Sequence, residues 1–268
     1  MKHFGLLGEK LGHSLSPMIH QEVFHALEIQ WHYDLIELTR EQLPQVFDYM
    51  KQRDITGFNV TIPYKEDLYH MVDILDEASK QIGAINTVHI QDGVTYGYNT
   101  DYIGAVRMLT REGYDLKGKD VVILGSGGSC KALIFGYLRE GVNRLTVAAR
   151  NEVALQELVE RFPEIHTISL DHISNISADL IVNTTPLGMF PKVGVSPVEA
   201  IHLPRFKTAA DIVYNPMHTQ FLKDATMAGL DIIPGIMMLI EQAIAAEEIW
   251  LGREIEVPME RILDAISL

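Results

Sequence analysis

The sequence predicts an α/β protein of two domains, each built around a largely parallel sheet. Three observations lead there. Short apolar runs alternate with helical patterns almost throughout, which is the signature of βαβ units. The alternation restarts at Lys119, after the polar segment GYDLKGK with its two glycines. A chain of 268 residues also has room for two domains of ordinary size.

In chain order, HFGLLG from His3 predicts a strand and residues 17–28 a helix. WHYDLIEL from Trp31 predicts a second strand, residues 41–51 a helix, and GFNVTI from Gly57 a third strand. Residues 86–91 and 95–98 flank Asp92-Gly93, a dipeptide suited to the tight turn of a hairpin. A helix over 101–111 follows. After the restart, DVVILG is a buried strand, 127–140 a helix, RLTVAAR from Arg144 a strand and 151–161 a helix. DLIVNTT from Asp179 and TAADIVY from Thr208 predict further parallel strands, and this block closes near Pro234. Helices over 235–251 and 258–266 are expected to pack back on the first domain or on the junction. The expected domains are therefore 1–101 joined by 236–268, and 102–235, with a cleft between them.

Composition narrows the function classes. Hydrophobic residues at 47% and charged residues at 22% suit a packed globular core. A net charge of −14 without a basic stripe argues against a nucleic-acid partner. The lone Cys130 has no internal disulfide partner, which fits a reducing compartment. The N-terminal apolar stretch is too short for a signal peptide, and no run of about 18 apolar residues predicts a membrane span. The expected location is cytoplasmic.

VVILGSGGSCKALIFGYL sets Gly125, Ser126, Gly127, Gly128 and Ser129 between a buried strand and a helix. A tight strand-to-helix turn wants residues without Cβ, and the helix N-terminus offers free N–H groups to an anion. Pyrophosphate fits that chemistry, and the second domain is expected to be Rossmann-type and dinucleotide-binding. The next strand ends at Arg150, with no Asp or Glu over 145–151. A basic residue there suits the 2′-phosphate of NADP, where an acidic one would hold the ribose of NAD; a solvated surface arginine is the other reading.

GFNVTIPYK ends a strand, Pro63 stops it, and Lys65 emerges where ligands collect in open α/β sheets. A lysine partly shielded from water can act as general acid or base. YGYNTD places Asp101 at a helix N-terminus. Taken singly, Asp101 also reads as an ordinary N-cap and Lys65 as a surface lysine.

Together, GEKLGHSLSPMIH, GFNVTIPYK, IGAINT, GYNTDYIG, LGSGGSCKA, VNTTPLGM, DIVYNPMHT and PGIMMLIEQA resemble the shikimate dehydrogenase family in sequence and order, from residue 5 to about 252. The resemblance implies reversible NADPH-dependent reduction of 3-dehydroshikimate to shikimate, in aromatic amino-acid biosynthesis. It implies that Ser14 and Ser16 hold the substrate carboxylate, and that Thr61, Asn86, Tyr214 and Gln242 contact substrate. Lys65 and Asp101 match the catalytic positions, with Asp101 pairing with Lys65 and biasing its protonation. Gly125 to Ser129, Arg150, Ile212 and Gly235 match cofactor-lining positions, and Glu77 is a further candidate there. No metal is implied. His13, inside HSLSP, is expected to orient its loop.

The sequence departs from the family pattern at three places. The strand end runs Ala149-Arg150-Asn151 with Ala154 four residues beyond Arg150, where members with firm NADP preference commonly carry a second basic residue. Gln21 stands in place of the usual Asn, and Ser129-Cys130 in place of two alanines. These differences leave open an NAD-linked enzyme acting on quinate as well as shikimate. A non-catalytic metabolite sensor is the alternative from another class, and the presence of both Lys65 and Asp101 argues against it. The expected partners are small-molecule substrates of this kind, with no nucleic acid or membrane, and a monomer or homodimer as the assembly.

Overall fold

The computed structural model describes residues 2–12 and 14–266, and the chain divides into two compact units, Met1–Thr100 with Gln242–Leu268, and Asp101–Glu241. His13 lies outside the described residues.

The first unit opens with β1 (His3–Gly8), α1 (Ser16–Ala26) and β2 (His32–Glu37). Instead of a single helix over 41–51, a 3-10 turn at Leu43–Gln45, with Pro44 in it, leads into α2 (Val46–Gln52). Then come β3 (Ile55–Val60), α3 (Lys65–Tyr69), β4 (Ile74–Leu75), α4 (Glu77–Ile82), β5 (Thr87–Gln91) and β6 (Val94–Tyr98). The six strands form one sheet in the order β2-β1-β3-β5-β6-β4. It is mixed rather than largely parallel: β5 pairs antiparallel with both β3 and β6, while β1–β2, β1–β3 and β4–β6 are parallel. The β5–β6 pair is joined by the hairpin turn, where Asp92 and Gly93 take φ of 52° and 80°, the left-handed pair that a two-residue turn demands.

The second unit runs α5 (Asp101–Arg111), β7 (Asp120–Leu124), α6 (Gly128–Arg139), β8 (Arg144–Ala149), α7 (Glu152–Arg161), β9 (His166–Ser169), β10 (Ala178–Asn183), β11 (Phe206–Asp211), α8 (Gln220–Met227) and β12 (Asp231–Ile233). Its six strands lie in the order β12-β11-β10-β7-β8-β9, and every pair is parallel. Connections run from β7 outward on one side and return through β10 on the other, the doubly wound pattern with its switch point between β7 and β10. The strands are buried apolar runs, as sheets covered on both faces require. Phe221, Leu222 and Ala225 of α8 pack with Leu124, Ile181 and Ala209, and Tyr102 of α5 meets Phe135 of α6 edge-on at 4.9 Å.

Two helices follow, α9 (Ile236–Leu251) and α10 (Met259–Ile266). The residues of α9 from Gln242 onward belong to the first unit. There Ala246 and Trp250 join Phe4, Leu6, Phe24 and Tyr33 on one face of the sheet. Trp250 stacks on Phe4 at 4.4 Å and donates its indole N–H to the Val88 carbonyl at 3.1 Å. The opposite face packs Leu7, Phe58, Val60 and Val88 with Val46 and Met50 of α2. No helix among the described residues is long and apolar enough to cross a membrane.

Candidate functional site

The strand directions in the first unit collect its candidate residues on one edge of the sheet. β1, β3, β4 and β6 all end there, and β5 begins there. The loop after β1 carries Ser14 and leads to Ser16 at the start of α1, the loop after β3 carries Thr61 and leads to Lys65 at the start of α3, α4 opens with Glu77 after β4, and Asn86 immediately precedes β5. Edge position alone brings together residues far apart in sequence.

Each is fixed by short-range hydrogen bonds. Ser14 N–H donates to the Leu11 carbonyl at 2.9 Å, and Ser16 N–H to the Ser14 hydroxyl at 3.2 Å. Ser16 is buried at the first turn of α1, with Pro17 beside it where a missing N–H costs nothing. Thr61 N–H donates to Leu7 O at 2.9 Å, and Val60 N–H to Asn86 O at 2.8 Å. Lys65 opens α3 half-buried, and its carbonyl accepts from Ile85 N–H at 3.1 Å. The preceding Tyr64 is fully buried and donates its hydroxyl to Leu38 O at 2.7 Å, which anchors the turn.

Asn86 is the hub of this edge. Its Oδ1 accepts from Thr100 N–H at 2.6 Å, from the Thr100 hydroxyl at 3.2 Å and from the Thr87 hydroxyl at 3.1 Å. Its Nδ2 donates to the Thr100 hydroxyl at 3.0 Å and to Gln242 Oε1 at 3.3 Å. Each such bond contributes about 1 kcal/mol net, so Gln242 of α9 is tied to the same edge as Thr61 and Lys65. Thr100 was not among the expected site residues; its place directly before the motif aspartate was the available signal. Glu77 is different: its side chain is 80% exposed and pairs with Lys80 at 2.6 Å.

In the second unit the strand ends again share one edge. Gly125 follows β7 with φ of 112°, a conformation that favours glycine. A Cβ there would lie 2.8 Å from the Thr184 hydroxyl and 3.0 Å from Thr185 Cγ2. Thr184 and Thr185, which follow β10 at the switch point, are thus close to the glycine turn, and NTTP at a strand end was the signal for them. Gly127 and Gly128 differ from Gly125, since a Cβ at either would meet nothing within 4 Å. Neither carries the positive φ that Gly125 does. The open space over these two glycines, beside the first free N–H groups of α6, fits a pyrophosphate laid against the turn. Ser126 and Ser129 flank them half-buried.

Arg150 is exposed at the end of β8. The adjacent Asn151 caps α7, its side chain accepting from Val153 and Ala154 N–H at 3.1 and 3.2 Å, a cap worth about 1 kcal/mol. That cap holds the turn on which Arg150 sits. Cys130 is fully buried in α6, and burial pushes its thiol up to about 12, as expected of a packing residue rather than a nucleophile.

Beyond β11, Asp211 organises the segment with Ile212 and Tyr214. Its carboxylate accepts from Asn183 Nδ2 at 2.9 Å, Val213 N–H at 2.9 Å and the Thr219 hydroxyl at 2.6 Å. Burial raises Asp211 to about 6 against the pull of these donors, and burial raises the Tyr214 phenol as well. Gly235 packs directly on this segment: a Cβ there would lie 2.5 Å from Asp211 O and 2.6 Å from Ile212 C. Asp101 opens α5 and is buried. At the other end of that helix, Arg111 and Arg107 both pair with the fully buried Glu241, Arg107 at 3.8 Å.

A doubly wound unit with a glycine turn at its switch point, joined to a mixed-sheet unit rich in hydroxyl and amide donors around one lysine, defines an oxidoreductase of the nicotinamide-dependent dehydrogenase class. Residues 6–88 match the family described as shikimate dehydrogenase substrate binding domain. The chain is 40% identical over 250 residues to the shikimate dehydrogenase (NADP(+)) of Clostridium beijerinckii, covering 93% of this chain and 92% of that one. Among solved structures, shikimate dehydrogenase 1 from Peptoclostridium difficile is 38% identical with a TM-score of 0.86, covering 99% of this chain and 96% of that one. Shikimate 5-dehydrogenase from Thermus thermophilus, in complex with NADP(H) and shikimate, is 30% identical with a TM-score of 0.90, covering 99% and 98%. The chain belongs to the shikimate dehydrogenase family.

Proposed function

We propose that the protein is a shikimate dehydrogenase that reduces 3-dehydroshikimate reversibly to shikimate with NADPH, as a cytoplasmic enzyme of aromatic amino-acid biosynthesis. The observation that carries the substrate side is the sheet edge of the first unit, which gathers Ser14, Ser16, Thr61, Lys65 and Asn86, with Gln242 bonded to Asn86. Residues 1–101 with 236–268 form the substrate and catalytic domain in this reading, and 102–235 the nucleotide-binding one.

Ser14 and Ser16 donate hydroxyl hydrogens to the substrate carboxylate. That is how an anion can be held in a protein with net charge −14 without a dedicated cation. Thr61, Asn86, Gln242 and Tyr214 orient the ring hydroxyls. Lys65 gives a proton to the carbonyl oxygen in reduction and takes it from the hydroxyl in oxidation, and Asp101 is the second acid–base group. Gly125 to Ser129, Ile212 and Gly235 line the nucleotide, with Glu77 as a further contact, and Arg150 takes the 2′-phosphate. The nicotinamide, when bound, supplies or accepts the hydride.

The test is kcat/KM for shikimate and quinate with NADP+ and with NAD+. Shikimate with NADP+ is expected to give the largest value, and no turnover of shikimate with either nucleotide would overturn the reading. Ala154, where a second basic residue would strengthen the phosphate site, favours a second reading, an NAD-linked enzyme of broader substrate range that includes quinate. The same four assays separate the two. Arg150→Ala is expected to raise the KM for NADPH about fivefold, as one exposed ion pair of about 1 kcal/mol implies, and to leave the KM for NADH unchanged. Equal effects on both would take Arg150 off the phosphate. The active assembly is a monomer or homodimer, which sedimentation velocity distinguishes.

A further inference from the structure

We propose that a buried polar network in the first unit, made by His20, Glu247, Tyr33 and Asn59, positions the substrate edge from behind. The inference rests on the reading of Ser16, Thr61, Asn86 and Gln242 as substrate contacts.

His20 of α1 and Glu247 of α9 are both fully buried, and His20 Nδ1 meets Glu247 Oε1 at 2.7 Å. An apolar pair would fill such a place at lower desolvation cost, so two ionisable groups in the core call for a reason. Burial drives the pair to neutrality: His20 is lowered to about 3, and Glu247 is raised well above the carboxylate range. A neutral carboxyl and a neutral imidazole are therefore joined by one hydrogen bond between Oε1 and Nδ1. His20 Nε2 and Glu247 Oε2 make no hydrogen bond within the described residues, and His20 is also influenced by the neighbouring Asn59 side chain.

That bond joins two helices that each carry a candidate substrate residue. Ser16 lies four residues before His20, on the same face of α1, and Gln242 lies five residues before Glu247 on α9. The chain of contacts then continues to the other two. The His20 ring stacks on Tyr33 with centroids 3.9 Å apart and planes at 10°. Tyr33 donates its hydroxyl to Asn59 Oδ1 at 2.7 Å. Asn59, two residues before Thr61, donates to Asn86 O at 3.3 Å and to the Thr87 hydroxyl at 3.0 Å. Thr87 in turn donates to Asn86 Oδ1 at 3.1 Å. Asn86 is thus fixed from behind at both its carbonyl and its side chain, while Gln242 meets it from the side. These are positioning residues: none lies on the edge itself, and all four act through residues that do.

Glu247→Leu removes the carboxyl bonded to His20 Nδ1, and Tyr33→Phe removes only the hydroxyl on Asn59 while keeping the stacked ring. Each is expected to raise the KM for shikimate about tenfold, the size of one lost buried hydrogen bond, with the KM for NADP+ changed less than about twofold. Glu247→Gln keeps an amide that can donate to or accept from Nδ1 and should stay within about twofold of the parent in both constants. An unchanged KM for shikimate in Tyr33→Phe, or equal rises in both KM values, would overturn the proposal, and Tyr33→Phe keeps the test open if Glu247→Leu does not fold. Amide hydrogen exchange of the same variants needs no substrate. Faster exchange over 59–61 and 86–88 with unchanged exchange over 120–150 supports the network, and unchanged exchange in both regions sinks it. If the parent protein turns over no shikimate, the catalytic reading has failed and the exchange data decide the network alone.

Discussion

Lys65→Ala lowers kcat for shikimate oxidation by about 100-fold or more, the usual loss for a general acid–base group, while the KM values for shikimate and NADP+ change by only a few-fold. The size of the kcat effect follows from the proton inventory of the reaction. Turning a ring alcohol into a ketone requires a hydrogen to leave the oxygen as the hydride leaves carbon, and in the proposed reading Lys65 receives it. The change is expected to be selective because the backbone of the turn has anchors of its own. The Lys65 carbonyl accepts from Ile85 N–H, and Tyr64 anchors the turn through its buried ring and its bond to Leu38 O. Steady-state kinetics with a thermal melt of each protein checks both statements. A variant with normal kcat would remove Lys65 from proton transfer, and one with a collapsed melt would make it structural.

Gly235→Ala is expected to lower the melting temperature and to raise the KM for NADP+ about tenfold or more. Every atom that the new Cβ would strike is backbone: Asp211 O at 2.5 Å, Ile212 C at 2.6 Å and Ile212 O at 2.7 Å. Side-chain rotation cannot relieve such contacts, so the end of β11 or the start of α9 has to move. Overpacking of this kind costs about 1–3 kcal/mol, or roughly 2–12 °C in a protein of this size. The displacement falls on the segment that presents Ile212 and Tyr214, so cofactor affinity should fall together with stability. Thermal melts with and without NADP+ measure both. A parent-like melting temperature with a parent-like NADP+-induced shift would show that Gly235 tolerates a side chain and does not shape the nucleotide side.

The strands were legible in the sequence wherever a buried apolar run was long enough to have no other home, as in DVVIL and ADLIVN. Short elements escaped because they do not complete a period: α3 has five residues, β4 two and β12 three. α4 and α8 carried better signals, since Asp76 caps one at Ser79 N–H and Thr219 the other at Leu222 N–H, yet neither apolar stripe spans three turns. The Asp92-Gly93 turn was legible, but it sets only β6 against β5; the antiparallel β3–β5 pair, made across the α3–β4–α4 connection, had no local signal and is what makes the first sheet mixed. In the candidate site, strand ends told which residues could meet on an edge. Side-chain bonds across long separations did not show in local pattern. Asn86 and Gln242 are 156 residues apart, and His20 and Glu247 are 227 apart, distances at which only the folded sheet supplies the link.

The division of the chain has a consequence for how it is made. The second unit is one continuous stretch, while the first is split, with Trp250 and Ala246 completing a sheet face whose strands lie within the first hundred residues. On a ribosome adding roughly 5–20 residues per second, that face stays bare for on the order of ten to thirty seconds after its last strand has been synthesised. During that interval Phe4, Leu6, Phe24 and Tyr33 lack their covering helix, and the middle of the chain can reach its final form before the beginning does. A released chain truncated after residue 241 should therefore protect the second unit from proteolysis and leave the N-terminal strands open to it.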